Sequence, residues 1–301
     1  MVGSLRLGAA PLTGFVCPAC GEPLAEVTCS SCGALYAVDD GIALVVPPSS
    51  RTAEKERQAA WFDEADAQYE IERPAGTPSF HAWLLAEKFR RGTSELAPLL
   101  EGATALAVCG GSGLDAELLA RAGAQTTTAD LSLGASRRAL ERARRHRIEL
   151  TAIVADAEAL PFADRSVDVV YVHDGLHHVE RPLAALREMA RVARLGVSVN
   201  EPAQAVATRM AIRGRLALAH EEAGNPVRRL TLEEVTDTLR AGGFRIVHAE
   251  RYAMFYRHEP GRASRFLSRR RLQPIAMRAT RALDPPARRV GNKLTVQAVR
   301  E

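Results

Sequence analysis

The chain has no run of about 18 consecutive apolar residues, the minimum for a helix that crosses a bilayer, so no membrane span is expected. The opening segment MVGSLRLGAAPLTGF carries one arginine and no apolar stretch long enough for a signal peptide, and a cytoplasmic protein is the expectation. Strong charge of either sign is also missing. The formal net charge of +4 over 301 residues permits an anionic ligand or some nucleic acid without arguing for either. Internal repeats and low-complexity tracts are absent. Cysteine almost vanishes beyond residue 32: four of the five fall within the first 32 residues, which favours metal binding in a reducing compartment over disulfides.

What remains is a globular composition, 47% apolar and 25% charged, in a length that suits one large domain and a small appendage. Residues 1–48 hold the paired cysteines and close on the strand-like 41-GIALVV-46, followed by a linker-like Pro47-Pro48-Ser49-Ser50. Residues 49–100 carry helical patterns broken at 73-RPAGTP-78 and are expected to form a helical linker or lid. From 101 to 301, short apolar runs alternate with amphipathic helices, the pattern of βαβ units. Strands are expected at 104–109, 125–130, 150–156, 167–172 and 196–201, with helices at 114–123, 132–145 and 182–193. The alternation breaks at about 203–230, an expected substrate-covering insertion. A helix over 231–243, a strand over 244–254 and a last strand over 293–300 follow. The expected fold class is α/β: a doubly wound, mostly parallel seven-stranded sheet with a small N-terminal zinc ribbon.

The segment 17-CPACGEPLAEVTCSSC-32 places Cys17, Cys20, Cys29 and Cys32 as two C-x2-C turns eight residues apart. Each turn can present two thiolates to one tetrahedral ion, and four thiolates leave no open coordination position, so the predicted Zn2+ is structural. About thirty residues build too little core to fold alone, so the metal would supply much of this unit's folding energy. The segment 35-LYAVDDGIALVVP-47 resembles the closing segment of zinc ribbons on bacterial ribosomal-RNA methyltransferases and of small zinc-ribbon activator proteins.

The stretch 105-ALAVCGGSGLDAELLARAGA-124 reads as strand, glycine-dense turn and helix start. Gly110, Gly111 and Gly113 let the backbone approach a ligand, and the helix beginning near Leu114 aims its amides at it. The loop alone is shared with nicotinamide enzymes. Downstream, Asp130 ends the second strand, where a carboxylate can accept both hydroxyls of a ribose. The third strand ends in 155-ADAEALPF-162, and the fourth runs into 173-HDGLHHVERP-182. Through these motifs and Asn200-Glu201-Pro202, residues 100–202 resemble the class I S-adenosylmethionine-dependent methyltransferases, in the branch of the ubiquinone and menaquinone C-methyltransferases. The resemblance implies a cofactor site of Cys109, Gly110, Gly111, Gly113, Asp130, Leu131, Asp156, Ala157 and His173. In it the loop faces the methionine part, Asp130 the ribose, and Asp156 and the Ala157 amide the adenine. Two departures stand out: Ala107 replaces a usual acid and Cys109 a usual glycine. Asp115, the helix amides or a water would have to hold the methionine end, and Cys109 reads as a small buried filler.

Methyl transfer is an in-line displacement that depends on positioning, with a base needed only where the nucleophile must lose a proton. His173, His177 and His178 are the catalytic candidates, with Asp174 beside them and Glu201 as a further one; His177 and His178 can equally structure their loop. Tyr69, Arg73, His81, Trp83, Lys88 and Arg90 are the groups a lid over 51–100 could offer. A small-molecule substrate, methylated at O, N or C, is the leading expectation. The alternative substrate is ribosomal or transfer RNA, motivated by nine arginines and one acid in 262–289. The plainer account of that segment is a helix packing Phe266, Leu267, Ile275, Met277 and Leu283 inward with its arginines in solvent. A catalytically silent partner protein is the third reading, motivated by Ala107. Nothing in the sequence indicates an oligomeric state.

Overall fold

A computed structural model describes residues 15–25, 27–204, 224–255 and 258–301. Most of the expected insertion, residues 205–223, lies outside them. A single sheet runs through the molecule in the order β1-β2-β5-β4-β3-β6-β7-β9-β8. Its centre is β3 (Thr104–Val108), β4 (Gln125–Asp130), β5 (Leu150–Ala155), β6 (Val167–His173) and β7 (Ala193–Pro202), all parallel; at one edge β9 (Lys293–Arg300) pairs antiparallel with β7, and β8 (Phe244–Tyr252) antiparallel with β9. The largely apolar sequence of β6 follows from this position: every residue up to Val172 is buried because helices cover both faces, and the one buried acid, Asp168, is paired with Thr104 and Arg194. The sheet order reverses between β3 and its neighbours β4 and β6, opening a crevice at the carboxyl edge.

The sheet has nine strands rather than the expected seven. The extra pair comes from the segment after the cysteines, β1 (Ala37–Asp39) and β2 (Ile42–Val45), an antiparallel hairpin. Strand β2 adds in parallel to β5 through Ala43–Ile153, Leu44–Val154 and Val45–Ala155. Fully buried Ile42 and Val45 supply the apolar surface that makes the addition favourable, and the hairpin covers an otherwise open edge. Cys17, Leu24, Cys29 and Tyr36 join the same apolar cluster as Phe162 and Ile153, so the cysteine-bearing unit shares the main core.

Helices α1 (Ala53–Asp63), α2 (Ala67–Glu72) and α3 (Ser79–Thr93) follow the hairpin, and the first two pack on α5 (Leu133–His146). Thr52, Asp66 and Ser132 cap the N-termini of α1, α2 and α5 by accepting from the backbone three residues on. Helices α4 (Leu114–Arg121) and α6 (Pro182–Val192) complete the βαβ crossovers, and α7 (Leu232–Ala241) starts with a Thr231–Glu234 capping box. Between β8 and β9 lie the short helices α8 (Arg262–Leu267), α9 (Gln273–Ala282) and α10 (Asp284–Val290). Leu267 and Met277 pack inward against Phe80, Leu84, Tyr252 and Met254, but Phe266, Ile275 and Leu283 are exposed, so only part of the expected apolar set faces the core. Among the described residues no helix is long and apolar enough to cross a membrane.

Candidate active site

A cavity of about 940 Å³ occupies the crevice, walled by the β3–α4 loop, the ends of β4, β5 and β6, and the covering helices α1 and α2. It brings together Cys109, Gly110, Gly111, Asp130, Leu131, Asp156, Ala157, His173, His177 and His178. Gly113 does not line it. A side chain there would press on Ala139 of α5, so this glycine serves helix packing. Gly110 is also held by packing, since a Cβ would fall 2.1 Å from Thr128 Oγ1. Gly111 is the loop glycine with open space beside it and a positive φ of 51°, so a ligand can reach its backbone.

The Asp130 carboxylate accepts from the N–H groups of Gly111 and Ser132, both at 2.9 Å, and keeps lone pairs for hydroxyl donors. Asp156 accepts from Lys55 Nζ at 2.7 Å, and the same lysine lies 3.2 Å from Glu158. Ala107 is buried in the apolar cluster on the far side of β3 and does not reach the cavity. Asp115 does reach it, from the first turn of α4, and pairs with His173 Nδ1 at 3.0 Å. Cys109 has φ 51°, which explains why related loops place glycine there. Burial and the surrounding carboxylates push its thiol well above its ordinary pKa, so it stays protonated and inert.

The segment after β6 is built around Glu201. Its buried carboxylate accepts from the N–H groups of Gly175 and Leu176 at 2.7 Å and from His177 N–H at 3.3 Å. It also binds His177 Nδ1 at 2.8 Å. A carboxylate only accepts, so Nδ1 carries a proton, and in the neutral ring that leaves the lone pair on Nε2. The His178 ring lies 4.0 Å from that of His177, tilted by 37°, meets Phe62 edge-on and contacts Gln58 at 3.3 Å. Burial, with His177 beside it, drives its pKa well down, so it is neutral near pH 7. Asp174 is gripped by Lys88 and by Lys293, the latter at 2.6 Å.

Only three of the chain's 40 basic residues are lysine, and all three, Lys55, Lys88 and Lys293, are buried on these acids. Lys55, Lys293, Gln58 and Phe62 were not among the candidates from sequence; the rarity of lysine was the available signal. Of the lid candidates, Tyr69 and Arg73 line the cavity, Lys88 sits beneath it on Asp174, and His81 is buried; Trp83 and Arg90 do not line it. The four cysteine ligand atoms lie within 4.8 Å of one another, with Sγ–Sγ distances of 3.7 Å (Cys17–Cys32) and 3.6 Å (Cys20–Cys29). Metal–sulfur bonds of about 2.3 Å make a tetrahedron with edges of about 3.8 Å, so the cluster is compatible with zinc.

Strand order, glycine loop and acids at the strand ends define a doubly wound methyltransferase fold. A family model described as a methyltransferase domain matches residues 106–199. The chain is 32% identical over 177 residues to a demethylmenaquinone methyltransferase of Renibacterium salmoninarum, covering 56% of this chain and 71% of that one. It is 38% identical over 138 residues to the enzyme of that name from Corynebacterium urealyticum, covering 46% and 55%. A magnesium protoporphyrin IX methyltransferase from Synechocystis PCC 6803 with bound SAH matches in fold, with TM-score 0.56 and 15% identity over 82% of this chain and 100% of that one. The chain belongs to the S-adenosylmethionine-dependent methyltransferases, in the branch that contains the demethylmenaquinone methyltransferases.

Proposed function

We propose that the protein methylates a small aromatic acceptor of the quinol class at a ring carbon activated by loss of a hydroxyl proton to His177, the hydrogen on that carbon then leaving to solvent as a proton as the ring regains aromaticity. The observation that carries this reading is His177 on the cavity wall, with its Nδ1 committed to the buried Glu201 carboxylate behind it. The names of the curated relatives support the acceptor class. A volume near the upper end of the range of about 300–1,000 Å³ for ligand sites suits a cofactor together with an acceptor.

The residues fit S-adenosylmethionine, with Asp130 for the ribose hydroxyls, Asp156 and the Ala157 amide for the adenine, and the open backbone at Gly111 for the methionine end. Asp115 replaces the acid that Ala107 lacks and can take the methionine ammonium. When bound, this cofactor supplies a methyl group on a positively charged sulfur. His177 Nε2 takes the acceptor's proton, and Glu201 stabilises the imidazolium that results. His173, fixed by Asp115, and neutral His178 bound the acceptor. Zn2+ on Cys17, Cys20, Cys29 and Cys32 completes the proposal as a structural ion.

Calorimetry should show S-adenosylmethionine binding to the full chain, and labelled methyl should pass to a reduced demethylmenaquinone-type acceptor. His177→Asn should lower kcat by about 10²–10⁴-fold with cofactor affinity unchanged. No binding at millimolar cofactor sinks the methyltransferase reading. Label in RNA but not in quinols sinks the acceptor assignment, and an unimpaired His177→Asn sinks the base.

A further inference from the structure

The helices between β8 and β9 have an outer face that the methyltransferase core does not need. Phe266, Ile275, Leu283 and Val290 are 51%, 62%, 50% and 56% exposed. Ile275 and Ala279 share one side of α9 and Leu283, its C-cap, continues the four-residue spacing, with Arg278 on the same exposed surface. Among the described residues Arg262, Arg265, Arg270, Arg271 and Arg278 are exposed and have no acidic partner within ion-pair distance, whereas Arg281 reaches Glu87 at 3.1 Å. The inner face is already occupied by Leu267 and Met277 on α3, so the outer face is separate from the core contact.

The geometry points to this outer face as a docking surface for an anionic lipid bilayer. Short amphipathic helices with aliphatic side chains among arginines lie in the headgroup boundary, where the apolar groups leave water and the guanidinium groups meet lipid phosphates. Charge complementarity decides the lipid type, since nine arginines face one acid in 262–289. Nucleic acid would share the arginines, but it is gripped by planar groups that stack on bases; here Ile275, Leu283 and Val290 are aliphatic, and the one exposed aromatic ring of this face, Phe266, already lies 4.8 Å under the Arg269 guanidinium. The surface begins at the mouth of the cavity. His258 and Glu259 line that cavity, His258 Nε2 lies 2.6 Å from Glu70, and Gly261 caps α8 two residues later. A bilayer docked here therefore sits beside the entrance, and an acceptor dissolved in it reaches His177 without crossing water.

The test is flotation of the full-length protein with phosphatidylcholine vesicles that contain roughly one third phosphatidylglycerol. The protein should float with these vesicles and much less with phosphatidylcholine alone. Ile275→Ser/Leu283→Ser should lower the partition about tenfold. Arg270→Gln/Arg271→Gln/Arg278→Gln should lower it about fivefold per charge, an effect that high salt removes. All five side chains are exposed, and unchanged melting of the variants checks that they fold. The proposal is overturned by a wild type that does not float, or by an apolar variant that floats undiminished. It is equally overturned if the arginines hold an RNA oligonucleotide in place of vesicles, or if Ile275 and Leu283 hold a second copy of the chain. Flotation needs neither cofactor nor acceptor, so its failure leaves the proposed methyl transfer standing.

Discussion

Burial raises the pKa of the Asp130 carboxyl, although the N–H groups of Ser132 and Gly111 and the nearby Arg138 pull it down. A folded-state pKa above the unfolded one means that the ionised group costs stability at neutral pH, a cost relieved as pH falls through the folded value. Such a carboxylate is retained for what it binds. Asp130→Asn removes the buried charge but sets an amide against one of two backbone donors, so the two effects oppose each other. Thermal unfolding should change by less than about 1 kcal/mol while calorimetric affinity for S-adenosylmethionine falls at least about tenfold. Parallel losses in both would mark Asp130 as merely structural. The placement of this acid was legible because strand-end residues of a parallel sheet converge on one crevice. Lys55 and Lys293 were not, because they come from a covering helix and the last strand, and only tertiary packing carries them to Asp156 and Asp174.

At the scale of elements, the hairpin β1–β2 is where the sequence was least informative. The apolar run 41-GIALVV-46 signals a strand, but nothing local says that its partner lies more than 100 residues away in β5. The central strands were legible because their alternation with amphipathic helices admits few topologies. The hairpin has a functional consequence. Strand β5 ends beside Asp156, and α1, which follows β2, holds that carboxylate through Lys55. Loss of the proposed zinc should therefore loosen both supports of the proposed adenine end. Treatment with a strong chelator, or Cys17→Ser, should lower the melting temperature by several degrees. It should also weaken cofactor binding by about three- to tenfold, read by calorimetry alongside metal content. A metal-free chain with unchanged affinity would show that the ribbon is energetically separate from the site.

For the whole molecule, α2 and α3 are tied to the region between β8 and β9 by carboxylates whose protonation is suppressed. Burial alone would raise the Glu70 pKa, but His258 and Arg73 bring it to about 2. Burial likewise opposes Arg90 and Arg281 at Glu87, which also falls to about 2. Glu70 joins α2 to the segment after β8, and Glu87 joins α3 to α9. Both folded pKa values lie below the unfolded value of about 4.3, so their stabilisation is fully present above that pH and is lost as pH falls toward 2. With His258 more than half exposed, solvent screening reduces the Glu70 contribution to about 1–2 kcal/mol. Denaturant unfolding should therefore show stability falling as pH drops from about 5 toward 2. Glu70→Gln should be less stable at pH 7 and should show a shallower decline, because a glutamine has no proton to gain. If the variant keeps the full acid slope, the cover is held by its apolar contacts and the ion pairs are incidental. If the slope flattens as expected, the lid opens in acid before the sheet does, and cofactor affinity should fall at a higher pH than the one at which the chain unfolds.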